Sequence, residues 1–464
     1  MPETAVKRTT TTEFCQQIVE AATKPLPSVV ADAARRSLFN VLGTAVGAAY
    51  SPAADAILAA AGELSGPGSV PVLGREERLD EHWAALLTGT AAHYDDFDDT
   101  HLRTVIHPGA ATLGVLVGLH GSVDVLGERY VTAFALGCEA QLRIGNSISP
   151  NHYDRGWHIT GTCGVFGAAV AASVLLGLNA DQLQAALGAA ASMTLGQREA
   201  FGSMTKPFHA GKAAANGILA ARLSEAGHAG SADALGDDGV LTVFADAIDH
   251  SELTRPWSAE GADWELISNT FKPYPCGIVA HPVIDAAVAA SKQVSDALKV
   301  EDIEAVEVTC HPLVPELMGI LQPKDGLQAR FSSRHGAATG LLDGSVGLRQ
   351  FSDERATSDD VTALRAITQL LPTTDCNRDE ATITVRLRDA DPVVVHIEHA
   401  RGSLARPLTD DELLAKVEGL TEPVLGAGSA AKILSIVQVL DADTEAGFSG
   451  VVAATHPAHH GGSL

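Results

Sequence analysis

Residues 161–178 run without one charged side chain, and Gly, Ala, Val and Leu fill most of the stretch. That length is near the minimum for a bilayer-spanning helix. The stretch is also rich in Gly and Ala and is introduced by His158, Thr160 and Thr162. Apolarity on every face is equally what a core helix shows, so we expect a central buried helix here. The same small-residue character recurs elsewhere. Aromatics are 5% of the chain, against 44 Gly, which suits helices that approach closely. Further helices are expected over residues 14–22, 29–48, 53–64, 84–99, 109–119 and 211–223, separated by turns containing Pro or Gly.

The 464 residues exceed what one core usually holds, about 250–300 residues, so at least two domains are expected. Lys plus Arg is 32 and Asp plus Glu 57, a formal charge of −25. Such a balance argues against nucleic acid, whose phosphates are bound mostly by Lys and Arg, and against anionic membranes. A small anion responds to the local pocket instead. The six cysteines, Cys15, Cys138, Cys163, Cys276, Cys310 and Cys376, form no CxxC pair. Reduced thiols in a cytosol are expected. Residues 1–12 lack the apolar core of a secretory signal.

The pattern shifts near Asn269. Residues 303–310, 381–387 and 392–397 alternate like half-buried strands, with helical segments at 281–291 and 335–342, an α+β module. After Gly402 the pattern is helical again, with Thr409 and Asp411 as caps for 412–420 and a further amphipathic helix over 430–440. We place a helical domain at 1–268 and 404–464, and the α+β domain at 269–403.

One device recurs four times: a cation where a helix begins. His107 precedes Pro108 and Gly109, and His158 precedes Thr160 and Thr162. Lys206 with His209 and Lys212 opens a third helix, and Lys272 with His281 a fourth. A helix N-terminus carries free N–H groups and positive partial charge, so cations there suit a bound anion. Four such starts point to a ligand with several carboxylates or phosphates.

Asp95, Asp96, Asp98 and Asp99 form the densest polar run, continuing the helix of 84–99. On a helix Asp96 and Thr100 share a face. Asp96 reads as an orienting group for His107 or His158. A divalent-metal site is the second reading, although the run has neither the Gly nor the terminal Glu of an EF-hand. Solvated residues at a helix end are the third, for Asp95 and Asp98.

The motifs DFDDTH (96–101), GWHITGT (156–162), GSMTKPFHAGKAA (202–214), FKPYPCGIVAHP (271–282), LLDG (341–344) and HARGS (399–403) together resemble the MmgE/PrpD family. That family includes 2-methylcitrate dehydratases, cis-aconitate decarboxylases and an iminodisuccinate epimerase. The resemblance implies a large all-helical domain with a smaller α+β lid, a homodimer, and catalysis without metal or organic cofactor. It implies a pocket lined by Asp96, Thr100, His107, His158, Lys206 and Lys272. The decarboxylase branch has His where this chain has Gly277, and Tyr where it has His335. His209, His281 and His335 are the candidate substitutes, assigned to substrate binding.

The expected activity is a cofactor-free lyase on a di- or tricarboxylate, with dehydration ahead of decarboxylation. Lys206 and Lys272 would hold carboxylates and spread developing charge, His107 and His158 would carry protons, and Thr100 would bond the substrate. The alternatives are an epimerase or isomerase, a metal-dependent hydrolase using residues 95–99, and a silent binding protein. An iron–sulfur cluster needs cysteine ligands, and these thiols are scattered. Cys276 reads as a small buried residue before a nucleophile. His399 and Arg401 read as structural, and His456, His459 and His460 as part of a loose tail.

Overall fold

A computed structural model describes residues 9–257, 260–261, 263–294, 299–440 and 447–457. The apolar stretch is the helix Ile159–Leu176, and 94% of it is buried inside the protein. It is sandwiched by Gly127–Ile148 and Thr205–Glu225 and stopped by Gly177 in the left-handed conformation, φ 69°. Its buried Val, Leu and Phe side chains each contribute about 1.5–3 kcal/mol relative to exposure.

Small residues set the helix spacing. A Cβ on Gly211 would collide with the Leu86 carbonyl and the Thr90 hydroxyl. Helix Thr205–Glu225 therefore lies directly against Glu81–Tyr94. Helix starts are capped as their sequences suggest. Ser51 accepts from Ala54 N ahead of Pro52, Asp80 accepts from Trp83 N, and Thr409 forms a capping box with Glu412.

Buried apolar residues fall into two clusters. One runs from Phe14 to Phe271 and resumes from Leu408 to Ala454. The other lies between Tyr274 and Val395. The second surrounds a four-stranded sheet in the order Thr368–Pro372, Ile303–Cys310, Ala381–Leu387, Val393–Ile397. The first pair is parallel and the others antiparallel. Val306, Val308 and Cys310 point into the core, the period-two pattern expected from sequence, and a bulge between Ile303 and Ala305 brings Ile303 in as well. Strand Thr368–Pro372 was not expected: only Thr368 is buried, so its alternation is faint. Helices His281–Ser291 and Ser333–Asp343 pack together beside this sheet.

The acidic run is not helical, contrary to the expectation for residues 84–99. Helix Glu81–Tyr94 ends before it, and Asp99–His101 is a strand paired antiparallel with Asn269–Phe271. Extending the helix would stack like charges. In the loop, each carboxylate reaches a different partner.

Candidate active site

Those partners define the site. Asp95 pairs with Arg330 at 2.8 Å. Asp96 accepts from Lys206 Nζ and Lys272 Nζ at 2.7 Å each, both on Oδ1. Asp98 Oδ2 lies 2.7 Å from His93 Nδ1. Asp99 accepts from Ser37 Oγ at 2.5 Å, Asn269 Nδ2 at 2.6 Å and Gly109 N at 3.1 Å. Asp98 is fully buried, so the reading of it as a solvated helix-end residue is corrected.

Two elements deliver the lysines. Lys206 is the second residue of Thr205–Glu225, whose glycine-mediated approach to Glu81–Tyr94 carries it to the end of that helix. Lys272 follows strand Asn269–Phe271, which is registered Asp99 to Phe271 and Thr100 to Thr270. Thr270 Oγ1 donates to the Thr100 carbonyl at 2.7 Å and fixes that register. Lys272 thus arrives on a strand, not at the helix start expected for it. The other three cations do stand at helix starts: His107 and His158 are N-caps, and Lys206 lies in a first turn.

Burial opposes the charge of Asp96, but Lys206 and Lys272 outweigh it and hold its carboxyl well below the usual range. Burial lowers the Lys206 ammonium, with Asp96 opposing the shift. Asp96 Oδ1 is shared by two ammoniums, so neither lysine has that carboxylate to itself.

Asp98 lies against two histidines, His93 and His107. His107 Nδ1 is 2.7 Å from the Asp99 carbonyl, 3.0 Å from Asp98 Oδ1 and 3.1 Å from Thr100 Oγ1. A carbonyl only accepts, so this nitrogen carries a proton, and Nε2 is the nitrogen left for proton transfer. That Nε2 is 3.9 Å from Asp96 Oδ1. His158 Nδ1 is bonded to His209 Nδ1 at 2.9 Å, leaving Nε2 free of that pair. Burial, then Lys206, keeps His158 well below its ordinary value and lowers His209 to about 4. Both rings are neutral at pH 7. His209 is therefore a partner of His158 through Nδ1. His93 is pushed to about 3 by burial, and its ring stacks 5.6 Å from His158.

Asp96, Thr100, His107, His158, Lys206 and Lys272 line one cavity of about 50 Å³. Tyr153, Phe201, Phe331, Val105, Ile278, Val279, Leu317 and Met318 form its apolar walls. Among the described residues, the non-glycine positions with positive φ are Asp96 at 51° and Val105 at 55°. Both line this cavity, and such strain concentrates at functional sites. Asp98, His93 and the apolar walls are the parts sequence reasoning missed. The DFDDTH run could have pointed to Asp98.

Two expected residues lie elsewhere. His335 is buried in the second core, with Nε2 2.7 Å from the Gln350 carbonyl and Nδ1 accepting from Arg365. Both nitrogens are used, so a substrate role for it is corrected. His281 is absent from the walls of this cavity and lines an adjoining chamber instead. Gly277 does line the cavity, and a Cβ there would collide with Met318 Sδ. Burial pushes the Cys276 thiol far up, which favours the reading of a small buried residue over a nucleophile. His399 pairs with Asp379 at 2.8 Å, and Arg401 with Glu412 at 2.8 Å, as structural contacts. His456 Nδ1 meets the Pro457 carbonyl, while His459 and His460 lie outside the described residues.

His93, Asp96, Asp98 and His107 place donor atoms within 4.8 Å of one another, a possible metal set. It fits a cation poorly, because Asp96 Oδ1 already binds two ammoniums, which a divalent ion would have to neighbour.

Comparison with known proteins gives this geometry a family. The MmgE/PrpD N-terminal domain matches residues 12–252, and the MmgE/PrpD C-terminal domain residues 274–442. The cis-aconitate decarboxylase-like protein oryM of Aspergillus oryzae is 25% identical, with 96% of each chain covered. Mouse cis-aconitate decarboxylase is 27% identical, covering 80% of this chain and 78% of that one. The Aspergillus terreus cis-aconitate decarboxylase is 24% identical over 94% of each. The chain belongs to the MmgE/PrpD family.

Proposed function

We propose that the protein is a cofactor-free lyase that dehydrates a small hydroxylated di- or tricarboxylate. The observation that carries this reading is Asp96 Oδ1 shared by Lys206 and Lys272 in a buried cavity beside His107 and His158. The two lysines, which share one carboxylate oxygen, draw one substrate carboxylate. His107 Nε2 removes the proton from the carbon next to that carboxylate. The electron pair develops onto the carboxylate oxygens, where two ammoniums already stand in a low-dielectric site and need no reorganisation. It then forms the C=C bond as the β-hydroxyl leaves, taking the proton that His107 has just acquired, while His158, held by its partner His209, hydrogen-bonds the departing oxygen. Water is the second product.

Decarboxylation is the second reading, favoured by the names of the relatives. Gly277 weighs against it. The decarboxylase branch carries His at the matching position, and here Met318 fills that space. An epimerase would use the same proton transfer without loss of a group. A homodimer in the cytosol belongs to the same proposal.

Incubation with 2-methylcitrate, citrate, cis-aconitate and iminodisuccinate in D₂O, followed by NMR, separates these readings. New olefinic signals with loss of the carbinol carbon are expected. Loss of a carboxylate carbon would indicate decarboxylation, and deuterium on an unchanged skeleton epimerisation. No change in any of the four would overturn the proposal. Loss of activity after exhaustive EDTA treatment would revive the metal reading.

A further inference from the structure

A second chamber of about 320 Å³ adjoins the catalytic cavity. The two share Val105, Tyr153, Ile278, Val279 and Leu317 as common walls. The chamber's remaining apolar lining comes from Leu102, Leu313 and Leu404 among others. Its volume far exceeds that of the catalytic cavity, and the partition between them is built on the strained Val105.

The chamber could be a second anion subsite, since Arg103 and Arg401 line it. Both are already paired, and of the other charged residues that line it, Asp154 and Arg378 are exposed to solvent. Arg103 pairs with Glu252 at 2.7 Å and Arg401 with Glu412 at 2.8 Å, while Asp379 is held by His399 at 2.8 Å. His281, buried on the chamber wall, is kept uncharged by burial, its value lowered to about 3. The shared wall is apolar, and Arg103 and Arg401 are spent on carboxylates outside the lining. An occupant with a charged end against that wall would lose hydration and gain no partner.

We propose that this chamber receives an apolar arm of the substrate, a di- or tricarboxylate whose head sits at Lys206 and Lys272 and whose alkyl or acyl substituent passes Val105 and Ile278. This rests on the carboxylate-site reading above and specifies its substrate class. Each methylene moved from water into the chamber tightens binding about three- to fourfold.

The test uses unreactive heads on the full-length protein: succinate, 2-methylsuccinate, 2-butylsuccinate and 2-hexylsuccinate, measured by calorimetry. Hexylsuccinate is expected to bind at least 100-fold tighter than succinate. Leu313→Trp, which fills the chamber from a wall the catalytic cavity does not share, should cut that ratio at least tenfold. Leu404→Trp, on an exposed segment of the lining, should cut it too and guards against misfolding of the first variant. A flat series with succinate bound overturns this inference alone, as does a gain that survives both tryptophans. No binding of any of the four acids overturns the carboxylate-site reading, and this inference with it.

Discussion

Replacing Asp96 with Asn leaves two buried ammoniums without their shared counter-ion. Both nitrogens lie 2.7 Å from the same oxygen, so they stand no more than twice that distance apart and repel by at least about 3 kcal/mol at an effective dielectric of 20. Removing one partner of a buried pair costs about 3–5 kcal/mol, and we expect Asp96→Asn to lose that much. Adding Lys206→Met should then recover part of the loss, because the remaining carboxamide faces one cation. The coupling in this double-mutant cycle is expected at about 2–3 kcal/mol. Urea unfolding followed by tryptophan fluorescence is the assay, since the tryptophans lie in the first half of the chain and at Trp257 and Trp264. The variant also acquires a signature in pH. A lysine with a depressed folded value binds fewer protons folded than unfolded. Stability of Asp96→Asn must therefore rise with pH between the depressed value and the unfolded lysine range, by up to about 1.4 kcal/mol per unit for one proton. Effects additive within about 0.5 kcal/mol, with no rise of stability in alkali, would refute the shared-carboxylate reasoning.

Three other predictions follow from particular contacts. Gly211→Ala should destabilise by about 1–3 kcal/mol through overpacking against Leu86 and Thr90, read by the same unfolding assay. Asp99 is raised to about 6 by burial, then by Asp98. Its folded form holds a proton that the unfolded chain has released above pH 4, so stability should fall between pH 4 and 6, and this fall should vanish in Asp99→Asn. His209→Gln should slow turnover about 10-fold or more and move the pH profile of kcat while leaving KM within about threefold, because it acts through His158. A pure folding defect would change expression and leave the profile in place.

Much of the site is legible in the residue order, for a physical reason. His107, His158 and Lys206 stand at the starts of apolar helices, where Pro108, Thr160 and Pro207 mark the boundary chemically. Their convergence needs only that the helices pack. Asp98 is less legible. Within four acids, the one that takes two histidines is decided by the left-handed turn at Asp96 and by pairing with Asn269–Phe271, a partner far away in sequence. That same long-range pairing converts the expected helix of 84–99 into helix, loop and strand. His335 illustrates the opposite error. Its place before LLDG suggested the pocket, but a histidine in a helix start is as readily absorbed by a carbonyl and an arginine of its own domain. Lys416 shows how much of the support is tertiary. Its ammonium, lowered to about 7 by burial, donates to the Asn40 side chain at 2.7 Å and the Phe97 carbonyl at 2.6 Å. It braces the acidic loop from a helix over 300 residues later, and nothing in Asp410–Leu425 announces it.

The central claim is that Lys206 and Lys272, released in part from Asp96, hold the carboxylates of the substrate. Calorimetric titration of tricarballylate, an unreactive tricarboxylate, into the wild type, Lys206→Met and Lys272→Met tests it most directly. Each charge-assisted bond is worth about 1.5–3 kcal/mol, so each variant should bind at least 10-fold more weakly than the wild type. Tricarballylate affinity unchanged in both variants would contradict the account.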